Sequence, residues 1–297
     1  MPATVLATCV LPWDDRLRFA EDDFRAHVRL VAARMTRHLY IFGTAGEGYA
    51  VTEAQFRYIA RVFWDEAREC GVTPMLGVIS TSLGTVIERL EFGLDLGYRQ
   101  FQISFPAWGR VCDPERDVFF RETCGRFPQA QFLHYNTPRG GRVLTGREYG
   151  QLASEHASLA AVKFTSSDPA VVAELVSNAA PVQCFLTEPA YVLANGDCGL
   201  LVSLSGVRLD LPGRFKAARD DALGELGRLA GAVDDLLEEC FRDDCPAAHM
   251  DGAYEKVLAR AHGAELALRL LSPYQGATEE AYRRFEAGLG LLAGLDG

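Results

Sequence analysis

The chain holds only three lysines, Lys163, Lys216 and Lys256, and the other 27 of its 30 basic residues are arginine. Lys163 ends the apolar run 159–162 instead of standing in a charged segment. Arginine stays protonated up to about pH 12, so it cannot act as an amine nucleophile. A lysine in an apolar pocket can, because desolvation lowers its pKa by as much as about 3–5 units. Position alone leaves two interpretations of Lys163 open: an amine nucleophile, or a strand-end lysine that reaches solvent.

A glycine-rich segment, Gly43-Thr44-Ala45-Gly46-Glu47-Gly48, follows another apolar run. Its glycines allow successive backbone N–H groups to converge on a small anion, and Thr44 adds a hydroxyl. The segment is too short for a P-loop and has no lysine, so a carboxylate fits it better than a polyphosphate. The alternative is an ordinary turn in which Glu47 lies beside a helix N-terminus.

A third segment, His134-Tyr135-Asn136-Thr137-Pro138, ends a further apolar run. A tyrosine at a strand end could exchange protons with a lysine amine, or it could only pack at the rim. A carboxylate cradle, a tyrosine and an isolated lysine together meet the needs of Schiff-base chemistry on a 2-oxo acid. The lysine condenses with the carbonyl group, and the resulting enamine can add to an aldehyde.

The elements that must position these residues alternate between strands and helices. Eight strand-then-helix units predict a closed parallel (β/α)₈ barrel in residues 1–223, and three further helices predict a C-terminal helical region in residues 224–297. A doubly wound open sheet is the alternative. Functional groups of such barrels gather at the carboxyl ends of the strands, so neighbouring strands five and six should bring Tyr135 beside Lys163. The predicted strands are Thr4–Leu11, His38–Gly43, Thr73–Ile79, Gln100–Phe105, Gln131–Tyr135, Leu159–Lys163, Val182–Leu186 and Leu200–Leu204.

Composition narrows the class of protein. A net charge of −10 argues against nucleic-acid binding, because no basic stripe is present to neutralise phosphates. No apolar run approaches the roughly 18 residues that cross a bilayer, and the N-terminus lacks the pattern of a signal peptide. Cys9, Cys184 and Cys198 lie in apolar segments, and we expect them to pack as reduced side chains. We therefore expect a cytoplasmic protein that uses neither a metal nor a cofactor.

At these residues the chain resembles the dihydrodipicolinate synthase / N-acetylneuraminate lyase family of class I pyruvate aldolases. The matching segments are Gly43–Glu47, Tyr135–Pro138 and Val162–Asp168, in the family's order and spacing. The resemblance implies a (β/α)₈ barrel with three C-terminal helices that assembles as a homotetramer. It also implies that Lys163 forms the Schiff base and Tyr135 relays protons. The Thr44 hydroxyl and the amides of Thr44 and Ala45 would bind the substrate carboxylate. The remaining predicted substrate-binding residues are Gly43, Glu47, Trp108, Arg139, Thr165 and Val202.

The chain departs from the family at several positions. Ala45 replaces the second hydroxyl residue of the loop, and Ala107-Trp108 follows Pro106 where a dihydrodipicolinate synthase has a tyrosine lent across a subunit contact. Gly140 occupies the place of the arginine that grips the aldehyde's carboxylate, with Arg139 and Arg142 on either side. These changes count against aspartate semialdehyde as the second substrate. Trp108 instead resembles a residue of the hydratase-aldolases, where it would offer an apolar wall to an aromatic aldehyde, although it could equally fill a subunit contact.

Three functional hypotheses remain open. The first is a lysine-dependent lyase that makes or breaks a carbon–carbon bond between a 2-oxo acid and an aldehyde. The second keeps the Schiff base but has a dehydratase or hydratase-aldolase outcome. The third is an inactive barrel that only binds a ligand, and the retention of Lys163 among so few lysines argues against it.

Overall fold

The eight strands of the computed structural model form one closed barrel, in which every strand is parallel to its neighbours and the order follows the chain. The structure describes residues 1, 3–242 and 249–292. The predicted (β/α)₈ barrel is thus confirmed. The strands are β1 (Val5–Thr8), β2 (His38–Ile41), β3 (Thr73–Gly77), β4 (Gln100–Ile103), β5 (Gln131–Tyr135), β6 (Leu159–Phe164), β7 (Gln183–Leu186) and β8 (Gly199–Leu201).

Eleven α-helices lie in the described part of the chain, and several begin at residues that the sequence marks as caps. Thr52 and Gln55 form a reciprocal capping box at the second helix, and the Asp168 side chain accepts from two amides at the sixth. The helices are α1 (Glu21–Arg34), α2 (Glu53–Glu69), α3 (Leu83–Leu96), α4 (Asp113–Phe120), α5 (Gly146–Glu155), α6 (Pro169–Asn178), α7 (Glu188–Leu193), α8 (Leu211–Ala217), α9 (Asp220–Phe241), α10 (Asp251–Ala261) and α11 (Glu279–Leu289).

Two layers of apolar side chains hold the barrel together. The inner layer comes from alternate residues of the strands, because successive side chains of a strand point to opposite faces. The larger outer layer lies between the strands and the helices. It includes Cys9, Cys184 and Cys198, the cysteines that the sequence predicts to pack as reduced side chains. The inner layer consists of Leu6, Tyr40, Met75, Leu133, Ala161, Phe185 and Leu201.

Several strands are shorter than predicted, and two helices have other bounds. The apolar runs continue past the last ladder hydrogen bond into loops at the barrel mouth, so β1 ends at Thr8 and β2 at Ile41. The sequence also predicts one helix over 213–223. This prediction is wrong, because the backbone becomes extended at Ala218 and Arg219. This break separates α8 from α9. The predicted boundary between residues 223 and 224 falls inside α9.

The last three helices extend the barrel. Helix α9 packs against α7 and α11, and α10 packs against the 3₁₀ turn Leu204–Val207 that follows β8. Because that turn follows β8, helix α10 lies at the carboxyl ends of the strands, the end at which barrel sites are built. The sequence predicts this helix over 247–262, of which residues 247 and 248 lie outside the described residues. Within the described ranges, no helix is long and apolar enough to span a bilayer.

Candidate active site

The Lys163 amine lies at the barrel mouth, enclosed by two tyrosines. Lys163 is the fifth residue of β6 and is 6% exposed. Its Nζ donates a hydrogen bond of 2.9 Å to the Tyr40 hydroxyl. The same atom lies 4.1 Å from the centroid of the Tyr135 ring and 4.9 Å from that of Tyr40. Both aromatic faces therefore attract the positive charge of the amine.

The pKa of Lys163 differs from the sequence-based expectation. Burial acts to lower this pKa, but the hydroxyls of Tyr40 and Tyr135 outweigh burial and raise it above the ordinary value of 10.5. The prediction of a lowered pKa is therefore wrong for this state of the protein, because the sequence does not reveal which oxygens surround the amine. Lys163 is an ammonium ion at neutral pH, and it must release a proton before it can act as a nucleophile.

Tyr135 is the last residue of β5 and stands beside Lys163 in the parallel register. Its side chain is buried. Burial acts to lower the pKa of Arg139, but the Asp251 carboxylate and the Tyr135 hydroxyl raise it. The structure therefore brings together the tyrosine, the lysine and one of the two candidate arginines. Arg142 instead pairs with Asp113 at 2.6 Å and Glu148 at 2.5 Å.

The glycine loop after β2 offers unpaired donors. Thr44 and Ala45 are buried, and within the described residues neither their amides nor the Thr44 hydroxyl has a hydrogen-bond partner. Gly43 brings this loop against the site, because a Cβ there would lie 2.8 Å from the Tyr40 ring. Successive free amides of this kind form an anion-binding concavity. The geometry therefore suits a carboxylate close to Lys163.

Glu47 lies inside the protein and not, as the sequence predicts, at a substrate-binding position. It is fully buried in the left-handed region, with φ at 51°. Its Oε1 accepts from Trp13 Nε1 at 2.9 Å and from Lys256 Nζ at 2.6 Å, and its Oε2 accepts from the Leu271 amide at 2.7 Å. Both carboxylate oxygens are thus bound by the protein, which leaves Glu47 the role of holding the loop.

Helix α10 forms one wall of the site, which the sequence-based interpretation missed. Asp251 accepts two hydrogen bonds from Arg139, at 2.7 and 3.1 Å. A Cβ at Gly252 would lie 3.0 Å from the Ala45 carbonyl oxygen, so α10 packs tightly against the glycine loop. Lys256, one turn later, is fully buried against Glu47. Asp251 and Lys256 are visible in the sequence as charged residues of a predicted helix, but their partners lie 112 and 209 residues away.

The remaining predicted residues lie at the rim. Val202, just after β8, is buried. The Thr165 hydroxyl is 2.6 Å from that of Thr187, and Thr165 is exposed. Trp108 is 93% exposed, so it forms no wall of the site within one subunit. The sequence-based interpretation also missed Tyr40. The signal was a hydroxyl-bearing residue in an apolar strand, three residues before Gly43, where the glycine loop begins.

The Lys256–Glu47 ion pair should set the affinity of the glycine loop for a carboxylate. Replacing Lys256 with Met leaves the Glu47 carboxylate buried without its counter-ion, at a cost of about 3–5 kcal/mol in the free energy of unfolding. We expect the pyruvate concentration that gives half-maximal borohydride trapping to rise by about tenfold, which corresponds to about 1.4 kcal/mol. Mass spectrometry across a pyruvate series measures this concentration.

Lys216→Met is the matched control, because Lys216 Nζ donates to the Cys198 carbonyl, away from the loop. Should Lys256→Met not fold, the double variant Lys256→Met/Glu47→Gln removes both charges and restores stability. A folded variant with unchanged half-saturation would limit the pair to a purely structural role.

Comparisons with known proteins agree on the fold. No protein-family model and no curated protein matches the chain. Among solved structures, YagE, a prophage protein of the dihydrodipicolinic acid synthase family from E. coli K12 in complex with pyruvate, matches with a TM-score of 0.84 at 15% identity, over 98% of each chain. Dihydrodipicolinate synthase from Thermotoga maritima matches with a TM-score of 0.80 at 15% identity, over 97% of this chain and 98% of that chain.

N-acetylneuraminate lyase from Proteus mirabilis matches with a TM-score of 0.81 at 16% identity, over 99% of each chain. These structures come from the same family that the three sequence motifs resemble. The prediction that the chain has this family's fold, C-terminal helices included, is therefore confirmed.

Proposed function

We propose that this protein is a lysine-dependent lyase of the class I aldolase type, which joins pyruvate or another 2-oxo acid to an aldehyde or cleaves the adduct. The observation that carries this proposal is the buried Lys163 amine, bound to the Tyr40 hydroxyl and covered by the Tyr135 ring. The free amides of the neighbouring glycine loop support it. So does the similarity in fold to YagE, which was solved with pyruvate, and to N-acetylneuraminate lyase.

The first step is binding of the 2-oxo acid. The amides of Thr44 and Ala45 and the Thr44 hydroxyl bind the carboxylate, since they have no partner in the described part of the chain. One proton of the Lys163 ammonium reaches the C2 carbonyl oxygen through a tyrosine hydroxyl, which gives up its own proton as it accepts that of the amine, and Nζ attacks the C2 carbonyl carbon. The carbonyl oxygen takes up two protons and leaves as water, which yields an iminium ion on Lys163.

The second step makes the carbon–carbon bond. A base at the barrel mouth takes the C3 proton, the electron pair of the broken C3–H bond forms the enamine double bond, and the iminium nitrogen becomes neutral. The enamine carbon attacks the aldehyde carbon, and the aldehyde oxygen takes a proton from Tyr135. Water then hydrolyses the new iminium ion and frees Lys163. The reverse sequence cleaves the adduct.

Product analysis distinguishes the two outcomes that the same lysine allows. The protein is incubated with pyruvate and an aldehyde, and the products are identified by mass spectrometry and NMR. A new carbon–carbon bond supports the proposed aldolase. Loss or addition of water alone would identify a dehydratase or hydratase, and no reaction with any 2-oxo acid would contradict the proposal.

We propose that the second substrate is an aldehyde without a carboxylate. Arg139 is already paired with Asp251 through two hydrogen bonds, and Gly140 lacks a side chain that could replace it. Aspartate semialdehyde would therefore lose the hydration of its charged groups without firm pairing. We expect an uncharged, hydrophobic or aromatic aldehyde to give higher kcat/KM, measured across a panel of aspartate semialdehyde, a sugar aldehyde and benzaldehyde.

Trp108→Ala should weaken binding of the preferred aldehyde by about 1–3 kcal/mol and spare pyruvate. This result requires a neighbouring subunit to bring Trp108 to the site, because Trp108 is 93% exposed in one subunit. Leu291→Ala, at another exposed apolar position, is the control. Preferred turnover of aspartate semialdehyde would contradict the assignment of the second substrate.

We further propose that the protein works as a homo-oligomer, and as a tetramer by analogy with the family it resembles. Exposed apolar residues of this size usually mark contacts between proteins. The proposed reaction needs neither a metal nor a cofactor, since the iminium ion on Lys163 itself accepts the electron pair of the C3–H bond. We also propose that the protein is cytoplasmic. Its proposed ligands are small 2-oxo acids and aldehydes.

A further inference from the structure

Three contacts fix one face of α10 over the barrel mouth. Asp251 pairs with Arg139, Gly252 packs against the Ala45 carbonyl, and Lys256 pairs with Glu47. Glu255 is one turn after Asp251, so it lies on the same face between these anchors. Its side chain is partly buried, and within the described residues it forms no hydrogen bond or ion pair.

Glu255 lies beside the carboxyl ends of β1 and β8, on the side of the barrel mouth that α1 covers. It lines a cavity of about 20 Å³ with Thr8 at the end of β1 and Val202 at the end of β8. In a closed barrel of eight strands in chain order, β1 lies across from β5, which ends at Tyr135. A 2-oxo acid bound to Lys163 would therefore have Tyr135 on one side and Glu255 on the other. The cavity has room for one water molecule.

Resting on the function proposed above, we propose that Glu255 is a second acid–base group of this site, which removes and returns the C3 proton of the imine. In this step the C3–H bond breaks and its electron pair forms the enamine double bond. The proton goes to the ionised carboxylate, and the positive iminium nitrogen becomes neutral. Tyr135 then exchanges protons only with the substrate oxygen atoms. The C3 proton and the oxygen-bound proton therefore move on opposite sides of the substrate.

The electrostatic surroundings suit this role. Burial and the neighbouring carboxyl groups of Glu188 and Asp251 raise the pKa of Glu255 to about 8, and Lys163 only partly offsets them. An acid–base group works best when its pKa lies near the working pH. Tyr40 of β2 is a further ionisable neighbour of Glu255.

The two histidines that line the same cavity supply no positive charge. Burial lowers the pKa of His27 on α1 to about 3, and burial also lowers that of His262 after α10. Both rings are therefore neutral when Glu255 titrates. No histidine counter-ion competes with the substrate iminium for the carboxylate.

The test is exchange of the pyruvate methyl protons for deuterium, followed by NMR in D₂O without any aldehyde. We expect Glu255→Gln to keep the borohydride adduct on Lys163 and to lose about 10²–10⁴-fold in the exchange rate. Wild-type exchange should rise with pH through a pKa of about 8, and the variant should lose this dependence. Glu255→Asp, which keeps a shorter carboxylate, should exchange slowly but retain the pH dependence. Glu265→Gln, at an exposed position beyond α10, is the control.

The outcomes separate this inference from the proposed function. If the wild type forms no adduct with pyruvate, both fail. If the adduct forms and Glu255→Gln exchanges at the wild-type rate with the wild-type pH profile, only the role of Glu255 is overturned.

Thermal unfolding gives a second readout. The folded protein holds the Glu255 proton up to about pH 8, whereas the unfolded chain releases it near pH 4.5, so this group lowers stability as pH rises between these values. Glu255→Gln should therefore gain more in Tm at pH 8 than at pH 5. An equal change at both pH values would contradict a poorly solvated carboxyl group.

Discussion

Replacing Lys163 with arginine or alanine should abolish turnover, by about 10⁴-fold or more, the order that loss of a covalent nucleophile costs in other enzymes. Arginine restores the positive charge but cannot lose its proton to become a nucleophile. The arginine variant thus separates the charge of Lys163 from its amine chemistry. Steady-state kinetics with pyruvate and the preferred aldehyde measure the effect, and circular dichroism checks the fold.

Lys216→Arg is the matched control. Lys216 on α8 is partly buried and donates to the Cys198 carbonyl at 2.9 Å, so arginine can keep a positive donor there. The control should retain turnover. Activity of the Lys163→Arg variant above background would show that a charge, and not an amine nucleophile, is what the site needs.

Tyr135→Phe should lower kcat by about 10²–10⁴, the usual contribution of a general acid–base group. The ring that packs over Lys163 Nζ at 4.1 Å is kept, so the fold and the position of the amine should change little. Only the hydroxyl is lost, and with it the proton for the aldehyde oxygen. The borohydride adduct should still form, although more slowly, because the hydroxyl also aids loss of water.

Tyr58→Phe provides a surface control, since Tyr58 is 53% exposed on α2. It should leave kcat unchanged. A Tyr135→Phe variant with near-normal kcat would limit Tyr135 to packing, and the proton relay would then have to come from Tyr40, whose hydroxyl binds the amine at 2.9 Å.

The sequence is most informative where local pattern and barrel geometry act together. Lys163, Tyr135 and the glycine loop each follow an apolar run, and the parallel barrel brings the ends of such runs to one mouth. Their proximity could therefore be predicted without any contact information. The closed order of the strands follows from eight consecutive strand–helix units.

The contribution of α10 could not be predicted in the same way. The spacing of its apolar residues indicates a helix with one apolar face, but it does not indicate which part of the barrel that face covers. Asp251 and Lys256 find partners 112 and 209 residues away. From the loop sequence alone Glu47 is expected to bind substrate, although its oxygens accept from Lys256, Trp13 and Leu271. Only the tertiary structure reveals this exchange of roles.

Trp108 and the pKa of Lys163 show two further limits. A tryptophan after a strand-end proline predicts an apolar wall, yet the side chain is 93% exposed, so such a wall would need a second subunit. Desolvation predicts a lowered lysine pKa, but the hydroxyls of Tyr40 and Tyr135 reverse the shift. Each case depends on a neighbour that the local sequence does not contain.

The most direct test of the account is mass spectrometry after treatment of the wild-type protein with pyruvate and borohydride. Reduction traps an imine as a stable amine, and peptide mapping locates it. The chain has only three lysines, so Lys216 and Lys256 act as internal controls. The account predicts one pyruvate-derived adduct, on Lys163, and none in Lys163→Ala. An unchanged wild-type mass, or an adduct on Lys216 or Lys256, would contradict it.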